Sequence, residues 1–570
     1  MTCEEMIYSN DYVDLMVNEL SLSDDSGARY EKGCLNRISN KISILHAPQT
    51  RDPLMNLESV PYSYIPKLYG LMDTSNLDSL GVSAVQNVNQ YNLDGKNVIV
   101  GVIDTGIDYN NPMFWKLEND KKTSRIVALW DQTVEGFEKS DEKEVLYGTV
   151  YRKNKIEEAL NFENPLEIVP SVDENGHGTF LAGVAAGNRD LQNDFSGVAP
   201  ECDIAVVKLK EAKPYLREYF GIEENVPAYQ ETDLLYAVSF LINLARERKT
   251  PISILIGVGS SNGGHFGVTF LERYLEELLK NVGIMVSVPA GNEGNARLHY
   301  QGRFDEGEEV QQVELNVAEG QQGITLEFWG MRPTTFALGL ISPQGDRVER
   351  IPPRFGQEEF VRLLLADTTV YVAYQLIETY TGNELIFVRI VNPVPGLWRF
   401  LVYANEGRKR EYDIWLPLRQ FQKADTYFVQ PNPDNTVTNP GNGNLTMTVS
   451  AYNHLNGSAY VEAGRGYNSF GQVVPDLAAP GISIMGPGLR NNYVNRTGTS
   501  VAAALSAGIM ALFFQWALAH PEIGYLYAEQ IKSLFLKNAI RIPENTYPNP
   551  IVGYGYMNIE TVFDAFRVVS

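Results

Sequence analysis

Four short apolar runs, rich in β-branched residues, constrain the fold of this chain more than any other feature. They begin at Asn97 (NVIVGVIDTG), Asp203 (DIAVVKL), Ile252 (ISILIGVGS) and Gly283 (GIMVSVPAGN). Because apolar side chains fill successive positions, each run predicts a strand buried on both faces of a parallel sheet. Helical patterns at Asp233–Glu247 and Phe270–Leu279 alternate with these runs. The sequence therefore predicts an α/β fold with a doubly wound, mainly parallel sheet.

The pattern changes between residues 303 and 420, where shorter segments of alternating hydrophobicity replace the longer runs. These segments are ITLEFWG, FALGLIS, VYVAYQLIE, ELIFVRIV, WRFLVYA and YDIWLPL. Closely spaced strands separated by turn residues predict an antiparallel β-sandwich or jelly roll. The apolar pattern resumes with LTMTVSAYN and VPDLAAPG, so we expect this β unit to be inserted into an α/β domain formed by residues 73–302 and 421–570.

The sequence predicts a separate small module in residues 1–72. Asp11–Leu20 has weak helical periodicity, and Ile42–His46 has the composition of a short strand. Pro53, Pro61 and Pro66 interrupt the rest of the module.

Charge and cysteine content narrow the partners and the compartment. A formal net charge of −23 argues against nucleic acid or an anionic membrane as partner, because such surfaces bind basic patches. The first residues are acidic where a secretory signal would be basic and then apolar, so no signal peptide is predicted. Cys3, Cys34 and Cys202 are too few for a disulfide framework and suit a reducing compartment. The apolar run Ile509–Leu518 is shorter than the roughly 20 residues that cross a bilayer, so we expect a buried helix and no membrane span.

Three motifs contain an acid, a base and a nucleophile. VIDTGID contains Asp104, DENGHGTFLAGVAAG contains His177, and RTGTSVAAALSAG contains Ser500. Taken singly, Asp104 would merely end a strand, His177 would lie in a glycine turn, and Ser500 would cap a helix. The chain order Asp, His, Ser is however that of the subtilisin triad. Together the motifs predict a catalytic triad.

These motifs closely resemble those of the subtilase family of serine peptidases. DTGID, HGTFLAGVAAG and GTSVAA match the segments around the family's Asp, His and Ser, and VAPECDIAVVKL and VPAGNEGN match two further segments. The similarity covers about residues 75–300 and 430–570 and leaves out the β unit. The resemblance implies a serine endopeptidase with a subtilisin-like fold, acting on protein or peptide substrates in an extended conformation.

The chemistry of the three residues supports these roles. A serine hydroxyl is a poor nucleophile at neutral pH, so His177 must take the proton of Ser500 and then pass it to the leaving amine. Asp104 would fix the imidazole tautomer and stabilise the imidazolium. By resemblance, the Asn292 side chain and the Ser500 N–H donate to the oxyanion; the alternative is that Asn292 is only a turn residue.

The resemblance also implies two walls of the substrate cleft. Gly257, Val258 and Gly259 would form an edge strand that pairs with the peptide, and Ala290 and Gly291 would form part of the opposite wall of the S1 pocket. The alternative is that these are ordinary strand-end residues. Relatives often carry a larger apolar residue in place of Val258, which leaves the P1 preference open.

No cofactor is predicted. The remaining histidines form no HExxH pattern and have no CxxC partner, which argues against catalytic zinc. Structural calcium is common among subtilases, but the chain has no DxDxDG loop, so calcium rests on the resemblance alone.

One departure from the family pattern suggests a subgroup. Ala504 and Leu505 stand where the family usually has Pro and His. The chain resembles the Csp germination proteases of spore-forming bacteria in four features: this motif, the missing signal peptide, the long Asp–His spacing and the insertion between Asn292 and Ser500. That resemblance implies a cytoplasmic or spore-associated enzyme that activates the precursor of a cortex-degrading hydrolase.

The same resemblance implies that residues 1–72 are a prodomain that can stay bound after self-cleavage near Lys67–Ser75, although a permanent N-terminal extension is an alternative. The β unit carries no chemical motif, so we expect it to stabilise the protease rather than select substrates. Two other functions are considered: a general intracellular subtilisin that degrades proteins, and a non-catalytic pseudoprotease scaffold.

Overall fold

The N-terminal module is a three-stranded antiparallel sheet beside a short helix. The computed structural model describes residues 2–18, 33–39, 41–48, 62–71, 80, 82, 86, 92–135, 145–354, 358–405, 410–524 and 526–567. The sheet of this module is formed by β1 (Tyr12–Asn18), β2 (Cys34–Arg37) and β3 (Ile42–Pro48), which lie in the order β1-β3-β2. The short helix is α1 (Cys3–Tyr8). A disulfide joins Cys3 to Cys34, a pairing that the sequence analysis did not predict.

The helical periodicity predicted for Asp11–Leu20 is wrong. Strand β1 pairs with β3 along its whole length, from Tyr12 opposite Pro48 to Asn18 opposite Ile42. Both faces of β1 are covered: Leu15 packs in a cluster shared with the β unit, and Met16 packs in the main core. A strand that is buried on both sides loses the polar-apolar alternation that identifies a strand in a sequence.

An eight-stranded sheet lies at the centre of the molecule, in the order β27-β26-β14-β12-β5-β10-β8-β9. All neighbours are parallel except β8 and β9. In chain order, the strands between residues 68 and 289 are β4 (Leu68–Leu71), β5 (Ile99–Asp104), β6 (Trp115–Glu118), β7 (Lys121–Ser124), β8 (Ile126–Asp131), β9 (Thr149–Arg152), β10 (Asp203–Lys208), β11 (Tyr229–Gln230), β12 (Ile252–Ile256), β13 (Val258–Gly259) and β14 (Ile284–Pro289).

Helices cover both faces of this sheet, as predicted. They are α2 (Lys153–Leu160), α3 (His177–Ala186), α4 (Pro214–Phe220), α5 (Glu231–Arg248), α6 (Phe270–Leu279), α7 (Thr499–Ala519), α8 (Ala528–Lys537) and α9 (Ile559–Arg567). Among the described residues, α7 alone is long and apolar enough to cross a membrane, but 83% of its most apolar window is buried inside the protein. In this structure α7 is a core helix that packs against α3 and the central sheet.

The β unit consists of two antiparallel sheets that enclose their own apolar core. The six-stranded sheet has the order β15-β24-β17-β22-β21-β20, and the five-stranded sheet has the order β19-β18-β23-β16-β25. Its strands are β15 (His299–Arg303), β16 (Val310–Val317), β17 (Gly323–Gly330), β18 (Phe336–Ile341), β19 (Arg347–Ile351), β20 (Glu358–Leu363), β21 (Thr368–Gln375), β22 (Glu384–Val391), β23 (Gly396–Ala404), β24 (Glu411–Trp415) and β25 (Tyr427–Phe428).

The two sheets of the β unit thus reach slightly beyond residues 303–420. The α/β domain then resumes with β26 (Met447–Tyr452), β27 (Leu477–Pro480), β28 (Ile484–Pro487) and β29 (Tyr493–Arg496). The predicted fold class, a doubly wound mainly parallel sheet with an inserted antiparallel β unit, is confirmed.

A single apolar cluster connects the N-terminal module, the α/β domain and the β unit. The module contributes Leu15 and Leu68, the α/β domain contributes Tyr219, and the β unit contributes Phe387 and Trp415. Burial of apolar surface is the main favourable term in folding, so the three parts stabilise one another.

Candidate active site

The fold brings Asp104, His177 and Ser500 together although they are far apart in the sequence. Asp104 ends β5 at the carboxyl edge of the sheet, His177 is the first residue of α3, and Ser500 lies in the first turn of α7. His177 Nδ1 lies 2.8 Å from Asp104 Oδ1, and His177 Nε2 lies 3.2 Å from Ser500 Oγ. All three residues are buried. These distances place the imidazole within hydrogen-bond reach of both the hydroxyl and the carboxylate.

The Asp104 carboxylate is enclosed on both sides. Oδ1 also accepts a hydrogen bond from the Thr105 N–H at 2.8 Å. Oδ2 is buried without a hydrogen-bond partner, and a Cβ atom built at Gly257 would lie 2.1 Å from it. Gly257 was predicted to line the substrate, which stays a prediction; the structure places it against the acid, where only a glycine leaves room for the carboxylate.

Asp173 is a supporting residue that the sequence analysis missed. Its Oδ1 accepts hydrogen bonds from the Gly176 N–H at 2.8 Å and from Thr105 Oγ1 at 2.8 Å. Its Oδ2 accepts hydrogen bonds from the N–H and the hydroxyl of Thr179. Asp173 therefore connects the turn that follows Asp104 with the first turn of α3, which carries His177. An aspartate shortly before a glycine turn and a helix start was the signal available in the sequence.

Asn292 lies beside the first turn of α7, and its amide is held in one orientation. Asn292 Oδ1 accepts hydrogen bonds from the N–H of Thr499 and from its hydroxyl, both at 3.1 Å. With the oxygen engaged, the Nδ2 donors are left for another acceptor. Ser500 follows Thr499, so these donors and the positive end of α7 lie in the same region of the site.

Val258 and Gly259 form the edge strand β13, and a segment of the chain itself pairs with it. Strand β4 lies antiparallel to β13, with Leu71 opposite Val258 and Gly70 opposite Gly259. On its other edge β4 pairs with β11, with Tyr69 opposite Tyr229. The end of the N-terminal module is thus the middle strand of a three-stranded sheet, in the place predicted for an extended substrate.

Ala290 and Gly291 lie across from β13, and Thr438 fills the space between the two walls. The Ala290 carbonyl accepts from the Thr438 N–H at 3.0 Å. A Cβ atom built at Gly259 or at Gly291 would lie 2.7 or 2.6 Å from Thr438 Oγ1, which is buried without a hydrogen-bond partner. The sequence analysis missed Thr438, because the chain reaches this place only after the inserted β unit.

Two ionisable groups near the site have displaced pKa values. Burial raises the pKa of Glu293, which follows Asn292, to about 7, although the Arg419 N–H donates to its carboxylate at 3.1 Å. Burial, reinforced by the Asp104 carboxylate, also raises the pKa of Tyr229 on β11. Both are effects of removing a charged form from water.

Within the described ranges, no group of three or more histidine, cysteine, aspartate or glutamate residues is arranged to hold a metal ion. The expectation that no cofactor is needed stays a prediction.

Comparison with known proteins identifies the class to which this fold and site belong. The model of the subtilase family matches residues 95–231 and 420–555, the two stretches on either side of the β unit. The chain belongs to the subtilase family.

Among solved structures, the chain is similar to the CspB protease of Clostridium perfringens. The two are 29% identical with a TM-score of 0.75, and the match covers 86% of this chain and 98% of that one. The predicted resemblance to the subtilases, and to their Csp group in particular, is confirmed.

Curated relatives show more distant similarity. The C5a peptidase of Streptococcus pyogenes serotype M18 is 21% identical over 77% of this chain and 37% of its own length. The major intracellular serine protease of Bacillus subtilis is 24% identical over 54% of this chain and 77% of its own length. The chain spans little more than a third of the C5a peptidases, the first of the curated relatives that it matches.

Proposed function

We propose that this chain is a serine endopeptidase that hydrolyses peptide bonds through an acyl-enzyme on Ser500. The observation that carries the proposal is the continuous contact from Ser500 Oγ to His177 Nε2 and from His177 Nδ1 to Asp104, beside Asn292. Membership of the subtilase family supports it.

Each residue of the site has one role in the proposed hydrolysis. His177 takes the Ser500 proton as the oxygen attacks the substrate carbonyl, and Asp104 stabilises the imidazolium that forms. Asn292 Nδ2 and the Ser500 N–H would donate to the oxyanion of the tetrahedral intermediate. The protonated His177 then donates its proton to the leaving amine, and an acyl-enzyme remains on Ser500. Water attacks this acyl-enzyme with His177 again as the base, and the acid product is released.

Labelling with a fluorophosphonate probe tests the activity. We expect Ser500 to be labelled and Ser500→Ala to stay unlabelled. Asn292→Ala should keep the fold and lower kcat by about 10²–10³, the magnitude known for the equivalent loss in subtilisin itself. A chain that is folded but not labelled would instead favour a non-catalytic scaffold.

We further propose that residues 1–72 are a prodomain cut by the enzyme itself. The support is the position of β4, which pairs with β13 as a substrate strand would. The bond would lie inside the range Lys67–Ser75 predicted from the sequence; residues 72–75 lie outside the described residues. N-terminal sequencing should find a new terminus within this range in the active chain and none in Ser500→Ala. A single uncut chain in both samples would favour a permanent extension.

The proposed role is limited proteolysis of a protein precursor in a cytoplasmic or spore-associated setting, as in spore germination. The similarity to a Csp protease and the occupied cleft support a restricted activity. A digest of denatured casein separates the alternatives: a few discrete fragments are expected, whereas rapid and complete hydrolysis would favour a general intracellular subtilisin.

A further inference from the structure

A cavity lies at the junction of the N-terminal module, the α/β domain and the β unit. The module contributes Ser63 and Lys67 to its lining, the α/β domain contributes Glu231, and the β unit contributes Trp329 and Glu378. It contacts the segment that enters the substrate cleft, because Lys67 directly precedes β4.

The backbone of Lys67 is hydrogen-bonded to Glu231, the first residue of α5. The Lys67 N–H donates to Glu231 Oε2 at 3.0 Å, and the Glu231 N–H donates to the Lys67 carbonyl at 2.9 Å. These bonds continue the pairing of β4 with β11, so Lys67 is held in register with the strand that follows. Any chain that occupies the place of β4 would bring its own side chain to the same point.

The Lys67 side chain is an ammonium group sealed from water. It is 4% exposed, and its Nζ donates to the Ile65 carbonyl at 2.6 Å. Burial lowers the pKa of Lys67, and the carboxylates of Glu231, Glu327 and Glu378 act in the opposite direction. A buried cation is tolerated only when opposite charge lies near it, and here that charge comes from two other parts of the protein.

The β unit supplies two of these three carboxylates on rigid supports. Glu327 accepts hydrogen bonds from Asn262 Nδ2 at 3.0 Å and from the Gly263 N–H at 2.9 Å. Glu378 accepts from the N–H and the hydroxyl of Thr381 at 2.8 and 2.9 Å. Arg273 stacks on Tyr380, with its guanidinium carbon 3.9 Å from the ring centroid.

The cavity retains a polar atom without a partner. Ser63 Oγ is buried and makes no hydrogen bond within the part of the chain that the structure describes. Ser63 lines the cavity. Unsatisfied groups of this kind are costly in a site that serves only to hold the fold, and they suit a site that receives different occupants.

We infer that this cavity is a specificity subsite for a basic side chain of the substrate, located just upstream of the strand that pairs with β13 and built in part by the β unit. In the chain's own N-terminal module, Lys67 is the basic residue at this place and lines the cavity. The inference rests on the proposed function and adds a substrate class to it: segments with lysine or arginine two residues before an aromatic residue, as in Lys67-Leu68-Tyr69. The β unit would then select substrates as well as stabilise the protease.

Peptide binding tests the subsite without relying on catalysis. The receptor is the full chain with Ser500→Ala, which prevents cleavage, and Lys67→Glu, which weakens its own β4. Fluorescent peptides copy residues 62–71 with Lys, Arg, Met or Glu in the place of Lys67, and anisotropy gives their Kd. We expect the Lys and Arg peptides to bind at least about tenfold more tightly than the Met peptide, and the Glu peptide to bind most weakly.

Charge removal in the receptor provides the matched comparison. Glu378→Gln should reduce the preference for Lys over Met, whereas Glu349→Gln, on an exposed side chain of the same β unit, should leave it unchanged. Equal affinity of the Lys and Met peptides for the receptor in which Glu231, Glu327 and Glu378 are unaltered would overturn the inference.

Self-cleavage provides a second measurement in the active chain. Lys67→Arg should mature at the rate of the unaltered chain, and Lys67→Met at least about tenfold more slowly. If no peptide binds and the Arg and Met chains mature equally fast, the subsite is wrong while the peptidase stands. If the probe does not label Ser500, the proposed function fails while the peptide preference still decides the subsite.

Discussion

At the residue scale, the cleft is defined as much by small residues as by the catalytic set. Gly257 leaves room for the Asp104 carboxylate, and Gly259 and Gly291 leave room for Thr438. Each of these glycines is close enough to its neighbour that an added Cβ atom would lie within 2.7 Å of it. Glycine serves close approach at Gly257 and Gly259, and at Gly291 a φ of +91° requires glycine as well.

Thr438→Gly should enlarge the pocket between the two walls. Removing a buried side chain that lies against both walls opens space for a larger residue before the scissile bond. We expect the ratio of kcat/KM for peptides with a large and a small residue there to rise about tenfold. Thr438→Ser, which keeps most of the volume, should change the ratio less; an equal ratio in all three enzymes would place the pocket elsewhere.

Glu384→Gln should remove a pH dependence of stability. Burial raises the pKa of Glu384 to about 8, its Oε1 has no hydrogen-bond partner, and the Phe336 N–H donates to Oε2 at 2.7 Å. Because the pKa is higher in the folded state, the stability that Glu384 contributes is complete below its ordinary pKa and is lost as the pH rises to about 8.

The glutamine variant should therefore gain roughly 1–3 kcal/mol relative to the unaltered chain at pH 8 and little at pH 5. Thermal unfolding midpoints between pH 5 and pH 9 measure the effect. Glu349→Gln, whose side chain is 78% exposed, is the control and should not change the profile. A constant difference between variant and parent at every pH would contradict the assignment.

At the element scale, the contact between His177 and Ser500 depends on the close packing of α3 and α7, which carry these residues. Gly508 lies where α7 packs against α3 and Val198. An added Cβ atom would lie 2.4 Å from Val198 Cβ and 2.7 Å from the carbonyl oxygen of Ala185, which belongs to α3. The two helices therefore set the separation between base and nucleophile.

Gly508→Ala should destabilise the protein and slow the labelling of Ser500. Alanine gains up to about 1 kcal/mol of helix propensity, but overpacking against a backbone carbonyl costs typically 1–3 kcal/mol, so the clash prevails. Denaturant unfolding and the fluorophosphonate labelling rate measure the two effects. Gly443→Ala is the control, because its nearest atom would lie at an ordinary 3.4 Å; equal stability of both variants would contradict this account.

At the scale of the whole molecule, the N-terminal module, the α/β domain and the β unit share one apolar cluster. Phe387 of the β unit stacks on Tyr219 of the α/β domain, with ring centroids 5.4 Å apart and planes 6° apart. Such a contact couples the unfolding of parts that would otherwise unfold independently.

Phe387→Ala should weaken this coupling at a cost of about 3–5 kcal/mol, the usual range for removing a buried phenylalanine. We expect calorimetry to show the unaltered chain melting in one transition and the variant in two. Phe360→Ala, on a side chain of the β unit that is 59% exposed, should leave the single transition intact. Two transitions in the unaltered chain would mean that the shared cluster does not couple the parts.

The sequence by itself determined the class of fold and the residues proposed to carry the chemistry. Short apolar runs rich in β-branched residues indicate strands buried on both faces, and the motifs around Asp104, His177 and Ser500 are local patterns that can be read from the sequence alone. The same local signal failed for β1, because the buried Asp14 interrupts its apolar run.

Only the tertiary structure decided what lies between those motifs. Thr438 reaches the cleft after a long insertion, Lys67 meets carboxylates from two other units, and β4 finds its partners Tyr229 and Val258 far along the chain. These contacts depend on the distances at which the folded parts meet, and no spacing within the sequence encodes them. The residues of the proposed triad were therefore predictable, whereas the strand and the side chains that lie beside them were not.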